Sequence, residues 1–245
     1  MRFEAEAIVC GLRSHGEHGA VVRLMTEEHG LQAAYVRGAR GRRMRPVLIA
    51  GNLVQARLAA RTESQLPQAE VELTHSRAPL HAEPLAAAAI EWATALAATA
   101  LPEAQPYPRL HAALDGLLNA IEAAPSANGW GAALVQYEVL MLAELGFGLD
   151  LETCAVSGAN DDLVAVSPRS GRAVSAAEAE PYAAQLLRLP PFVREGGTAS
   201  WRDIVDGLAL TSHFLMRDLL TERSAVLGDA RARLVERLRR AGGLD

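Results

Sequence analysis

The sequence predicts an α+β protein, with a small antiparallel β-barrel in the first eighty residues and helices after it. Three observations predict this. Before Pro79, apolar and polar residues alternate over short runs, the signature of half-buried strands. After Pro79, apolar residues recur every three to four positions, as on one face of a helix. Apolar residues make up 50% of the 245-residue chain and aromatics only 4%, so alanine, the best helix former, supplies much of the apolar count.

Each strand has its own warrant. Phe3, Ala5, Ala7 and Val9 alternate with Glu4, Glu6 and Ile8. AVVRLMT (20–26) and LQAAYV (31–36) flank the turn EEHG (27–30), where glycine supplies the positive φ that a tight turn needs, and so predict a hairpin. VLIAGNLVQARLAA (47–60) predicts a long fourth strand with Gly51 as a bulge or bend. QAEVELTH (68–75) alternates again and makes a fifth. Five short strands with a glycine bend suggest a closed barrel, of which the five-stranded OB-fold is one type. The expected domains are an OB-fold at 1–80 and a helical domain at 81–245.

The helices follow from periodicity and punctuation. Leu85, Ala89, Trp92 and Leu96 share a face, with Pro84 in the first turn. Leu110, Leu114, Leu117 and Ile121 make a second helix, and Trp130, Leu134, Tyr137, Met141 and Leu145 a third, capped by Asn128 and stopped by Gly146. Residues 147–174 lose the period, and VSPRSGR (166–172) reads as a turn. Ser175 and Glu178 form a capping-box signature before a helix at 176–188, and Ser200 and Asp203 form another before 201–222. A last helix at 229–240 carries Arg231, Arg233, Arg237, Arg239 and Arg240, which read as a solvated surface.

All 24 basic residues are arginine, and the net charge is −5. The charge is uneven, at +3 over residues 1–80 and −8 over 81–245, which suggests two parts with different partners. The positive charge concentrates in YVRGARGRRMRP (35–46), which holds Arg37, Arg40, Arg42, Arg43 and Arg45. No acidic residue lies between Glu28 and Glu63. Five like charges repel, and a partner of dense negative charge relieves that repulsion. Arginine grips phosphate in a forked geometry, and Gly38 and Gly41 allow backbone amides to come close. The expected nucleic-acid-binding residues are therefore these five arginines. Only Phe3 and Tyr35 are aromatic nearby, so backbone contact with little sequence preference is expected.

Other functions find less support. No G-x-S-x-G, Walker-type or H-E-x-x-H motif is present, so no catalytic residue is assigned and no enzyme is expected. His15 and His18 have H-x-x-H spacing, but two histidines do not complete a tetrahedral site; a metal hydrolase built on them is the minor alternative to a plain hairpin turn. Cys10 and Cys154 lie far apart, which suits a reducing cytosol rather than a disulfide framework. No leader peptide opens the chain, and no apolar run reaches the ~18 residues of a membrane helix. A second reading keeps the helical part as a non-enzymatic scaffold whose barrel binds an acidic protein.

The chain also resembles the bacterial DNA repair family RecO. The residues that carry the resemblance are VVRLMTEEHGLQAAYVRGARG, the ELGFGLDL turn (144–151) leading into LETC, and VSPRSGRAV, in that order. The resemblance implies a recombination mediator that binds single- and double-stranded DNA, anneals complementary strands and acts with RecR. It also implies binding to the acidic tail of single-stranded DNA-binding protein and help in loading the recombinase RecA. Its DNA contacts map best to Arg37 and Arg40, whereas Arg42, Arg43 and Arg45 rest on charge alone. Many members hold zinc through two C-x-x-C pairs. Here the pairs read Cys154-Ala155-Val156-Ser157 and Ser175-Ala176-Ala177-Glu178. A degenerate zinc-finger-like insert at 150–176 with no metal, and hence no cofactor, is the expectation, with residual metal binding at Cys154 left open. The resemblance further suggests a cytoplasmic, nucleoid-associated monomer.

Overall fold

One long strand organises the barrel. In the computed structural model, which describes residues 2–62, 65–124, 126–220 and 225–244 (225 and 226 by backbone alone), β1 runs Arg2–His15. Its first half pairs antiparallel with β4 (Leu53–Ala59), from Arg2 opposite Ala59 to Ile8 opposite Leu53. Its second half pairs with β2 (Gly19–Thr26), ending with His15 opposite Gly19. The register shifts between Val9 and Gly11, and such a bulge increases the local bend and twist that closure requires. β3 (Gly30–Val36) pairs with β2, and β5 (Gln68–His75) with β4. A single parallel pairing, Tyr35 with Gln68, closes the barrel in the order β1-β2-β3-β5-β4. This is the expected five-stranded OB barrel.

Its interior explains the many alanines. Ala7, Val9, Ala20, Val22, Leu24, Ala34, Val36, Val54, Ala56 and Leu58 form the inward set. A small barrel has room for little more than short side chains facing aliphatic ones. Where two strands come close, even a methyl is excluded. A Cβ on Gly19 would lie 2.2 Å from the Tyr35 hydroxyl oxygen, because the Tyr35 ring crosses over that position.

The fourth strand starts later than the sequence suggests. Residues 47–52 are turns, and only Leu53–Ala59 is strand. The apolar run misleads because its residues plug the barrel end: Leu48 is buried in the core and Val47 packs against it. Gly51 is the expected bend, with φ +85°, and a Cβ there would meet Ile90 Cγ2 at 2.8 Å.

The contact pattern divides the chain between Glu122 and Ala123. The first unit therefore includes two helices beyond residue 80, where strand gives way to helix. α1 (Pro84–Ala100) begins with Pro84 and buries Ala89, Ile90, Trp92 and Leu96, packing against β1. α2 (Pro108–Ala123) buries Leu110, Leu114, Leu117 and Ile121, the predicted face. The connector between them lies beside β3, where Ala104 N–H donates to the Leu31 carbonyl at 2.9 Å.

The second unit is built on α3 (Gly131–Glu144) and α6 (Trp201–Phe214), which pack together. α3 is not capped by Asn128. Asn128 sits in a short 3-10 turn whose own cap is Ser126, and Trp130 precedes α3 without a side-chain cap. Gly146, at φ +89°, follows the helix end as expected. The Ser200–Asp203 capping box is present in both directions. α6 gives way to a π-helical turn, Leu215–Leu219, closed by Leu220 N–H to the Leu215 carbonyl at 2.7 Å. The expected helix end at 221–222 lies outside the described residues.

Residues 147–174 are less irregular than predicted. β6 (Leu163–Val166) pairs with β7 (Ala173–Ser175) and with β8 (Leu187–Arg188) in a three-stranded sheet. The predicted helix at 176–188 shrinks to α4 (Ala176–Ala179) and a 3-10 stretch, Glu180–Gln185. Ser175 makes no side-chain cap bond there. α5 (Pro191–Glu195) leads to α6, and α7 (Ala225–Ala241) ends the unit.

Arg231 on α7 is not solvated, contrary to expectation. It is 2% exposed, and Glu138 on α3 is fully buried. Arg231 Nε donates to Glu138 Oε1 at 3.0 Å, and its terminal nitrogen to Oε2 at 2.7 Å and to the Leu208 carbonyl at 2.9 Å. The Thr211 hydroxyl, on α6, donates to the same carboxylate. Three helices thus meet on one ion pair. Removing one member of such a pair leaves a bare buried charge, which costs about 3–5 kcal/mol. Glu138→Ala should lower the unfolding free energy by that amount in urea titration. Replacing both partners with apolar residues of similar size should cost clearly less. Equal losses for the single and double variants would show that packing, and not the orphaned charge, sets the cost.

Candidate nucleic-acid interface

The loop between β3 and β4 is anchored by apolar residues and leaves its cations outside. Ala39 is 1% exposed and Leu48 4%, while Met44 packs partly against the barrel core. Between these anchors the backbone turns on itself. Gly41 N–H donates to the Gly38 carbonyl at 2.9 Å, and Met44 and Arg45 N–H both donate to the Gly41 carbonyl at 3.1 Å. Gly38 takes a φ of +67°, which glycine adopts without strain. Gly41 spends its amide within the loop, so it is not the open amide donor that the sequence suggested.

Arg37, Arg40, Arg42, Arg43 and Arg45 are all exposed. Among the described residues, none of the five has a carboxylate within ion-pair reach, and Glu63 lies outside them. Among the described residues, Arg40 is the one of the five tethered outside the loop, by its guanidinium to the Glu17 carbonyl at 3.3 Å and its amide to the His18 carbonyl at 3.4 Å. Both tethers reach the β1–β2 turn and leave the positive charge intact.

A groove runs beside the loop over β3, β5 and β4. It encloses about 570 Å³ and is lined by Tyr35, Arg37, Met44, Arg2, Arg57 and Glu70 among others. A smaller hollow of about 260 Å³ joins Arg43 to Arg57 past Glu70 and Glu72. A third, of about 540 Å³, carries Arg2 and Arg61. The sequence did not single out Arg2, Arg57 and Arg61, which line these hollows. The signal was there for Arg57, because Gln55, Arg57 and Ala59 alternate outward against inward Val54, Ala56 and Leu58. Arg57 is engaged with Glu4, Nε to Oε2 at 2.7 Å. That bond holds the Glu4 carboxyl below the usual carboxylate range and raises the Arg57 guanidinium. The groove therefore mixes signs, and among the described residues the loop arginines on its edge face no carboxylate.

The aromatic residues near the loop each touch a histidine ring. Phe3 stacks on His29 with centroids 3.9 Å apart, and Tyr35 meets His15 edge-on at 5.9 Å. His15 and His18 do not assemble a metal site. His18 is strongly exposed beside Glu17, and among the described residues no group of three His, Cys, Asp or Glu side chains converges.

The insert has a different centre. Cys154 is buried, and Ser175 donates to its sulfur twice, from N–H at 3.3 Å and from Oγ at 3.4 Å. Ser157 also donates to it. Three positions of the two C-x-x-C pairs thus meet at one thiol. One sulfur and two hydroxyls do not fit a structural zinc ion, which takes four thiolate or imidazole donors, and a zinc-finger insert is not confirmed. Desolvation pushes the Cys154 thiol up, but the donors from Ser157 and Ser175 outweigh it and bring it down to about 6. Burial pushes Cys10 up to about 12.

A closed five-stranded barrel with an exposed arginine loop, followed by a helical unit, defines a two-part protein of OB type. The models for the N-terminal and C-terminal parts of recombination protein O match residues 1–77 and 81–224. The DNA repair protein RecO of Phenylobacterium zucineum is 44% identical over 247 residues, covering all of both chains. That of Rhodospirillum centenum is 44% identical over 98% of this chain and 96% of its own, and that of Bradyrhizobium sp. (strain BTAi1) 42% over 98% and 97%. The chain belongs to the RecO family of DNA repair proteins, which acts in recombination repair.

The sulfur site generates a direct test. Thiolate absorbance followed against pH should show a transition near 6 for Cys154, and Ser175→Ala should move it toward the ordinary thiol value of ~8.5. An unmoved midpoint would mean that Ser175 does not hold the thiolate. The folded value lies below the unfolded one. The thiolate's contribution to stability is therefore complete above the ordinary thiol value and is lost as pH falls through about 6.

Proposed function

We propose that the arginine loop and its flanking groove bind the phosphate backbone of DNA, single- or double-stranded. In this reading the protein works without chemistry of its own, annealing complementary strands and helping to load the recombinase RecA. It does so as a cytoplasmic, nucleoid-associated monomer, together with RecR and the acidic tail of single-stranded DNA-binding protein. One observation carries the DNA assignment: five guanidinium groups at the surface with no facing carboxylate among the described residues, on a chain whose net charge is −5. Such a cluster is relieved by a polyanion, whose bound counterions are released as the phosphates are neutralised. The scarcity of aromatic rings at the loop, with only Phe3 and Tyr35 nearby, supports backbone contact with little base preference. The RecO relatives support the repair setting; the partners come from the family resemblance.

Anisotropy titration of labelled single strand and duplex at several salt concentrations tests this reading. If all five loop arginines meet single-strand phosphates, log affinity should fall against log salt with a slope of roughly −3.5. The triple variant Arg40→Glu, Arg42→Glu and Arg43→Glu should abolish binding while the circular dichroism and melting curve stay those of the wild type. Wild-type affinity in that variant would remove the loop from the site.

A further inference from the structure

One buried side chain holds the root of the arginine loop. Asn52 is fully buried. Its amide nitrogen donates to the Pro46 carbonyl at 2.9 Å and the Val47 carbonyl at 3.1 Å. Its Oδ1 accepts from Arg77 N–H at 2.8 Å. Arg77 is itself 1% exposed. One terminal nitrogen donates to the Gly51 carbonyl at 2.7 Å, and the other to Asn119 Oδ1 at 2.6 Å and Asp115 Oδ1 at 3.2 Å, both on α2. Nε lies 3.4 Å from Glu122 Oε2, and His81 bonds the Ala50 carbonyl at 3.0 Å. Residues 50–52 are thus fixed to α2 and to the chain that follows β5.

The Pro46 and Val47 carbonyls belong to no strand ladder, since β4 starts at Leu53. What the two Asn52 bonds fix is the end of the turn that carries Arg42, Arg43 and Arg45. Repulsion among those cations drives the turn open, and no local carboxylate among the described residues opposes it. A loop held ready loses less freedom when it binds. We propose that Asn52, oriented by Arg77, is a positioning residue for polyanion binding, holding 42–45 so that its guanidinium groups meet one phosphate backbone together. This rests on the DNA reading above.

Trypsin and DNA give separate readouts. Trypsin cuts after arginine, and Arg37, Arg40, Arg42 and Arg43 each offer a bond, whereas Pro46 protects Arg45. Asn52→Ala should be cut within 37–43 roughly tenfold faster than wild type, the scale of losing buried hydrogen bonds. Its salt slope for a single-stranded oligonucleotide should be shallower by roughly 0.7 for each phosphate that the loop no longer engages. Val22→Ala, in the barrel core, controls for destabilisation alone and should keep the wild-type slope and loop cleavage. Should Asn52→Ala not fold, Asn52→Asp keeps the acceptor for Arg77, loses both donors, and should give the same trypsin result. Wild-type cleavage in the Asn52 variants, or equal acceleration in Val22→Ala, overturns the proposal. Oligonucleotide binding by none of the proteins, wild type included, overturns the DNA reading instead and leaves trypsin to decide the positioning.

Discussion

Like-charge repulsion in one loop is the constraint around which the barrel end is built. Arg37 to Arg45 present five cations without a facing carboxylate among the described residues, so charge cannot hold the loop together. Apolar burial and hydrogen bonds do it instead. Ala39 and Leu48 sink into the barrel mouth, Met44 leans on it, and the turns over 41–48 close on their own carbonyls. Burying an aliphatic side chain such as leucine contributes about 1.5–3 kcal/mol. Repulsion between exposed charges in water is of the order of 1 kcal/mol at contact distance and falls with salt. The anchors act together with the turn hydrogen bonds, and salt weakens the repulsion, so the loop is held folded while its cations face no carboxylate among the described residues.

Elsewhere the same residue type is used in two other ways. At the surface Arg23 meets Glu103 and Arg57 meets Glu4, each at 2.7 Å, and such exposed pairs contribute little to stability. In the interior Arg77 and Arg231 join elements distant in sequence, and each binds at least one backbone carbonyl besides its carboxylates. Burial makes these pairs costly to break rather than strongly stabilising, which favours one arrangement of the helices over its competitors. Arginine suits this work because its planar fork can satisfy several acceptors at once. One basic residue type is thus sorted by environment into bare, surface-paired and buried groups.

Elements set by local physics were legible in the sequence. Strand alternation found β1, β2, β3 and β5, and the glycine turn at Gly30 placed the hairpin. The Ser200–Asp203 box was legible because both partners lie within one turn of helix. Several failures come from side-chain partners that no local period reveals, some of them far away along the chain. VLIAGN reads as strand because nothing local reveals that Leu48 plugs the barrel and that Asn52 binds backward to Pro46 and Val47. Ser175 and Glu178 have the spacing of a cap, yet the Ser175 hydroxyl goes to Cys154, 21 positions away. Arg231 reads as one of several surface cations, since Glu138 lies 93 positions upstream. The three-stranded sheet has strands of four, three and two residues, too short for any period to show. At the site, the loop arginines were legible from charge, whereas Arg2 and Arg61 become neighbours of the groove only through barrel closure.

The insert shows what can take over when the ligands for a metal are mostly absent. A zinc site would tie two turns together through one ion. Here the ties are distributed. Asp150 pairs with Arg172 at 3.2 Å and exchanges backbone bonds with Gly171 and Ala173, and Ala155 N–H donates to the Ala173 carbonyl at 2.8 Å. The hairpin turn is held from outside by His213 and Arg217, both donating to the Pro168 carbonyl. Each bond contributes about 1 kcal/mol, so several are needed to approach one structural metal. The Cys154 sulfur remains at the centre as an acceptor for the two serines. Because Pro168 is held from the end of α6 and its π-helical turn, the sheet depends on helix packing in its own unit. α6, which carries Thr211 at the Glu138–Arg231 junction and His213 at the Pro168 carbonyl, is thus the element through which the insert's turn is fastened to the helices of its unit.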